Sequence, residues 1–362
     1  MISRFLLALG LAVLMLFSGV TSYIVLGGRH SKINNPPQNP VAATPTSQAF
    51  RLPGTMYLVQ NGAIYSLAAG RFHQLTPEAG WMQPSLYPDN SRLIAVRRLF
   101  YYSDVYILNR FGRVLKQVTS NNAPPRNTDT GARHWSFYPR LAKNGQLFMS
   151  YDSPKYGYEV DMSVWSMPIG GNIRQGRIWT NSNGYSGGDM QPVPLSSGGA
   201  ILYTKFGFGT DTKLGSQIWY SNRAGSYGRA VTAEGANCMQ PAVSPSGRQV
   251  AMVCNYGKQI SYLMVASFNG SSFGPLKAVI TNQMVAQPAW APDGSGIAYF
   301  APAVGAGPFQ LWFLPAAAYT PPAPSPSPID SPSPAATPVP VKPIQLTAYQ
   351  GFDATSPIAW AP

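Results

Sequence analysis

From residue 54 to the end of the chain, short apolar runs alternate with turn residues, and after residue 30 no stretch sustains a helical period. A proline motif punctuates the pattern six times. Its fullest copy is Gln287-Pro288-Ala289-Trp290-Ala291-Pro292-Asp293-Gly294, followed by the apolar run Gly296-Ile297-Ala298-Tyr299-Phe300. Relatives stand at Gln83-Pro84-Ser85-Leu86-Tyr87-Pro88-Asp89-Asn90, Tyr138-Pro139, Gln191-Pro192, Gln240-Pro241 and Pro357-Ile358-Ala359-Trp360-Ala361-Pro362. From Pro84 the prolines are spaced 55, 53, 49 and 47 residues, then 69. A period of tens of residues predicts a propeller or a solenoid.

Each unit divides into four strands, a to d. In the fifth unit these fall at 240–245, 248–254, 260–267 and 276–281; in the second they fall at 83–88, 92–97, 104–109 and 114–119. Strand d tends to end near a threonine. The N-terminal segments 54–59, 63–67 and 72–76 read as strands b, c and d without an a, and 356–362 reads as an a with nothing after it. Joined, they make one blade, which keeps a ring from opening and removes bare edges. The fold expected is all-β: a six-bladed propeller closed by the C-terminal strand and preceded by one apolar helix.

The proline motif with its Asp-Gly turn resembles the WD40-like repeat of the TolB family of extracytoplasmic propellers. The resemblance covers 54–362. It weakens in units three and four, where the turn becomes Lys143-Asn144-Gly145 or Ser196-Ser197-Gly198-Gly199. It implies an adaptor or binding propeller. The α/β domain that TolB carries ahead of its propeller is missing, so the TolB role in an envelope complex is not implied. Similar repeats occur in prolyl-oligopeptidase-like enzymes and some pectin-degrading lyases.

Residues 5–26 are nearly all apolar and as a helix would span about 33 Å, enough for a bilayer core. A signal-anchor at 1–28 is expected, with a cleaved signal peptide as the alternative. Either exports the remainder. The expected location is the bacterial cell membrane, single-pass, with the propeller outside, or secretion if the segment is cleaved. Residues 29–50 read as a disordered linker ahead of a propeller at 51–362. A proline-rich insert at 317–343, between strands c and d of the sixth unit, accounts for the long last spacing. It reads as a polyproline spacer, with a ligand for a proline-reading module as the alternative.

Chemistry is sparse. Gly184-Tyr185-Ser186-Gly187-Gly188 matches a nucleophile-elbow pattern, but all three histidines (His30, His73, His134) precede Ser186 and no helix follows it. His73 and His134 have no matched ligands, so neither metal nor cofactor is expected, and no residue is assigned catalysis. Cys238 and Cys254 stand nearly opposite across the hairpin turn of unit five, and export favours a disulfide; two free thiols are the alternative.

With 26 Lys and Arg against 13 Asp and Glu, the net charge is +13. Ten basic residues lie between Arg92 and Lys143, against Asp104 and Asp129. Export argues against nucleic acid and for a protein or an anionic envelope polymer. Strand order puts the a–b and c–d loops on one rim, with the tether and the insert, and the longer b–c and d–a loops on the other. That second rim carries the candidate binding residues Arg126, Arg133, His134, Trp135, Tyr156, Tyr158, Tyr185, Phe206 and Phe208. A monomeric, non-catalytic binding propeller is expected; the alternative is a glycan-binding protein or carbohydrate-active enzyme using the same rim.

Overall fold

The computed structural model describes residues 52–122, 130–155, 161–181, 184–195, 198–305, 307–320 and 341–362. The expected membrane helix and linker lie outside the described residues, as do Arg126, Tyr156, Tyr158 and most of the proline-rich insert. Among the described residues, no helix is long and apolar enough to cross a membrane. Helical turns there are limited to the short 3-10 segments Thr130–Ala132, Ile173–Gln175 and Ala316–Ala318.

Six antiparallel four-stranded sheets follow one another around a ring. The inner strands, a, are Trp81–Leu86, Ser136–Leu141, Asp189–Leu195, Cys238–Val243 and Ala286–Trp290 in blades two to six. In blade one the inner strand is the C-terminal Ala359–Ala361, which pairs with Thr55–Gln60 in the register Thr55 to Ala361, Met56 to Trp360 and Tyr57 to Ala359. The expected closure is therefore present. The Trp360 indole N–H also donates to the Pro53 carbonyl at 2.7 Å.

The core lies between blades. Buried apolar side chains fall into six clusters, one for each blade-to-blade interface. One of them packs Met56, Phe300, Phe313 and Trp360 between blades six and one. Strands b are almost wholly buried because both their faces meet neighbouring blades; Leu93, Ile94, Ala95 and Val96 are each 0% exposed. This explains why these strands read as continuous apolar runs rather than as alternating ones.

The threonine that ends strand d has a structural task. Thr76, Thr119, Thr180, Thr232 and Thr347 each accept, at Oγ1, the strand c N–H of Ile64, Val105, Val164, Ile218 and Leu311, at 2.9–3.0 Å. The hydroxyl satisfies a buried donor where the outer strand leaves the ladder.

The proline motif is a bulge. In blades two to six the residue before the proline has positive φ (Gln83 51°, Tyr138 52°, Gln191 57°, Gln240 58°, Gln287 50°). The a–b pairing skips at that point in each of these blades. Proline suits a bulge because it has no N–H for the ladder. In blades two, three, five and six the N–H of the preceding residue, turned out of its own sheet, bonds to the neighbouring blade. The Tyr138 N–H donates to Gln83 Oε1 at 2.7 Å, that of Gln240 to Gln191 Oε1 at 3.0 Å, and that of Gln287 to Gln240 Oε1 at 2.7 Å. The Gln83 N–H donates to Ser356 Oγ at 3.1 Å, and Gln287 Nε2 donates to the Ala354 carbonyl at 3.0 Å. The Tyr138 side chain hydrogen-bonds to both Gln83 and Gln191. A belt of hydrogen bonds thus runs around the axis.

One of the longer b–c loops expected on the second rim, that of blade four, is mostly strand instead. Strands b and c of blade four continue as a projecting ribbon, Ala200–Phe208 against Leu214–Ser221, pairing Phe206 with Ser216 and Phe208 with Leu214. Gly207 and Gly215 interrupt the apolar pattern, but ladder bonds need no side chain. Chain reversal is confined to 209–213, where the Gly209 N–H donates to the Lys213 carbonyl and Asp211 accepts the Lys213 N–H.

Two outcomes test this architecture. Deleting residues 356–362 removes Ile358 and Trp360 from the core, at a cost on the order of 3–6 kcal/mol by burial alone. A sharp fall in melting temperature is expected, and an unchanged melt contradicts the closure. Gln83→Leu leaves the Tyr138 N–H without its acceptor and should cost about 1–3 kcal/mol in urea denaturation; a neutral result removes the belt's structural importance.

Candidate functional site

The b–c and d–a rim of blades two and three gathers several of the expected residues. His134 Nδ1 and the Trp135 N–H both lie 2.9 Å from Asp152 Oδ1, and Lys155 Nζ sits 2.9 Å from Asp152 Oδ2. Lys155 also donates to the Arg133 carbonyl. The Asp152 carboxylate is fully buried, so it acts as a post that holds the 133–135 segment against residues 153–155. His134 in turn stacks on Tyr151, with ring centroids 5.1 Å apart.

This anchoring displays two arginines over aromatic rings. The Arg98 guanidinium lies 5.5 Å from the Trp135 ring centroid, and that of Arg133 lies 5.0 Å from the Tyr101 ring. Trp135 stacks on Phe137 at 5.8 Å, and Phe100 meets Tyr101 edge-on at 4.5 Å. Phe100 is 84% and Tyr101 54% exposed. The result is a rigid patch of rings and guanidinium groups. Tyr185, 79% exposed, stands in the connection from blade three to blade four, and Phe208, 57% exposed, stands near the tip of the blade-four ribbon. Phe206 on the same ribbon is half-buried. The structure therefore unites Arg133, His134 and Trp135, and places Tyr185, Phe206 and Phe208 in the next sector.

Sequence reasoning missed Arg98, Phe100, Tyr101, Asp152 and Lys155. Phe100 and Tyr101 occupy the b–c turn of blade two, where two consecutive exposed rings were the available signal.

The buried carboxylates of this rim serve as loop holders. Asp104 accepts from the Asn121 N–H, the Thr119 hydroxyl and Gln117 Nε2 at 2.8–3.0 Å. Asp161 accepts from the N–H groups of Ser186 (3.4 Å) and Gly187 (2.8 Å). The Gly184–Gly188 sequence is thus an interblade loop, and no strand-to-helix turn is present there.

One register position carries a cross-strand staple in several blades. At the start of strand a, Trp81 faces Arg97, Asp189 faces Lys205 and Cys238 faces Cys254. These pairs are a cation–π contact at 5.8 Å, an ion pair at 3.0 Å and a disulfide. The cysteine Cα atoms are 4.1 Å apart, so the hairpin register itself supplies the pairing expected from their spacing.

The second concave feature lies on the axis, a cavity of about 370 Å³. Its lining runs from Tyr138, Gln191, Gln240 and Gln287 of the belt to Pro245 and Pro292 of the a–b turns, with Trp290 and Trp360 between. It therefore extends toward the a–b rim, opposite the aromatic patch.

No family model matches the chain, and no curated protein matches it. Solved structures do. TolB from Acinetobacter baumannii aligns over 74% of this chain and 62% of its own, at 14% identity and TM-score 0.56. A TolB structure from Agrobacterium tumefaciens aligns over 86% and 95%, at 13% identity and TM-score 0.55. The fold is that of a TolB-type propeller. The tricorn protease also aligns, over 74% of this chain and 25% of its own, at 12% identity and TM-score 0.50. A TolB-type propeller therefore shares its architecture with a protease propeller, and the fold by itself leaves the chemistry open.

The Asp189–Lys205 pair predicts a pH dependence. Burial pushes Asp189 up to about 6, and the nearby Lys205 ammonium only partly offsets this. A carboxyl raised on folding adds stability that is fully present below its unfolded value near 3.8 and is lost as pH rises through about 6. The melting temperature of the protein should therefore fall relative to Asp189→Asn between pH 4 and 6. A difference that stays constant across that window contradicts the assignment.

Proposed function

We propose that the chain is a non-catalytic binding propeller, exported and tethered by its apolar N-terminal segment, that engages a partner protein through the patch on blades two and three. The observation that carries this reading is the pair of arginines stacked on Trp135 and Tyr101 beside the exposed Phe100. Tyr, Trp and Arg dominate the energetics of protein interfaces, and rings already fixed by packing lose little entropy on binding. The buried Asp152 post keeps the patch preorganised. Ten basic residues between Arg92 and Lys143 would favour an acidic partner face.

The topology supports the orientation. The chain enters at Thr55 and the proline-rich insert leaves after Phe309–Pro315, both at the a–b and c–d rim. The aromatic patch lies on the other rim, clear of both of these attachment points.

The test is chemical crosslinking in intact envelopes with the full chain, comparing wild type with Phe100→Ser/Arg133→Ala. The reading expects a defined protein adduct that the double variant reduces at least tenfold. Equal adduct yields overturn it, and retention of an envelope polysaccharide in place of a protein turns the assignment to glycan binding.

A further inference from the structure

Among the described residues, every one that lines the axial cavity is uncharged except Arg140. Arg140 lies two residues beyond the bulged Tyr138, on the inner strand of blade three and opposite Phe148 of strand b. Other arginines find partners: Arg97 the Ala79 carbonyl and the Trp81 ring, Arg110 the Tyr57 hydroxyl, and Arg229 the Ser271 carbonyl. Among the described residues, Arg140 has no carboxylate within ion-pair distance and its guanidinium makes no hydrogen bond. Burial without a counter-charge pushes it down to about 10, which leaves it ionised at neutral pH. A positive charge in such surroundings gains most from an incoming anion.

The rest of the wall narrows the class of anion. Gln240 uses its Oε1 for the Gln287 N–H, which leaves its amide nitrogen available to the cavity. The Trp290 and Trp360 indole N–H groups are committed to the Ala242 and Pro53 carbonyls. Pro241, Pro288 and Pro357 add rings without N–H donors. One guanidinium fork and one amide suit a monoanionic carboxylate. A dianion would bring a second charge with no positive group to meet it. Proline and tryptophan rings with Val193, Val243 and Ile358 supply apolar wall beside these polar groups, and about 370 Å³ falls within the range of small-molecule sites.

We propose that the axial cavity binds a small organic carboxylate, its charged end on Arg140 and the Gln240 amide and its apolar body against the proline and tryptophan walls. The site lies on the opposite side of the belt from the aromatic patch, so it stands independently of the partner reading.

The experiment is calorimetric titration of the full chain in detergent with 3-phenylpropionate, 3-phenylpropionamide and inorganic phosphate. Saturable binding of the acid is expected, with the amide at least tenfold weaker and phosphate weaker than the acid. Arg140→Met should lose at least tenfold in affinity for the acid. Ala242→Trp fills the cavity from a half-buried wall position and should abolish binding, which keeps the test decisive if Arg140→Met fails to fold. No saturable binding of the acid to the wild type, equal binding of acid and amide, undiminished binding by Arg140→Met or Ala242→Trp, or phosphate binding more tightly than the acid overturns the proposal.

Discussion

The structure depends on a backbone N–H that its own sheet cannot use. At each Gln-Pro or Tyr-Pro step the inner strand bulges, and the residue before the proline turns to positive φ. Left buried and unpaired, that N–H would cost roughly 1–3 kcal/mol. A glutamine reaching across from the adjacent blade removes the cost in several blades, and in doing so ties each of those blades to its neighbour. The motif is therefore more than punctuation. It welds neighbouring sheets at the narrowest part of the ring, where the inner strands converge.

The same belt divides the molecule functionally. On its d–a side, buried aspartates are spent on holding loops: Asp152 on the 133–135 segment, Asp161 on the 186–188 turn and Asp104 on Asn121. What these loops then present to solvent is aromatic and cationic. On the a–b side, the belt floors a cavity whose walls are prolines and tryptophans and whose charge is a single arginine. Rigid scaffolding on one side and a concave axis on the other follow from one repeated dipeptide.

Much of this was legible in the chain. The blade count and closure could be read because half a blade was missing at each end, and strand b announced itself through runs such as Leu93 to Val96 that are buried on both faces. The disulfide was legible because a hairpin turn at Ser246-Gly247 puts Cys238 opposite Cys254. The blade-four ribbon was less visible, since Gly207 and Gly215 break the side-chain pattern but not the ladder. Of the rim residues, Arg133, His134 and Trp135 were found because they cluster in sequence. Arg98 and Asp152 were missed because their partners come from other strands.

Arg140 shows the boundary most clearly. Its place in the motif was in plain view, since the other copies carry Ser85, Val193, Ala242, Ala289 and Ile358 near the same step. By itself the chain determined the strands, their order, the ring and its closure, because these follow from local hydrophobic period, turn residues and proline geometry. Only the tertiary structure decided which charges are answered and which are not. Whether an arginine meets a ring, a carbonyl or an apolar cavity depends on side chains far apart in the chain that the ring brings together.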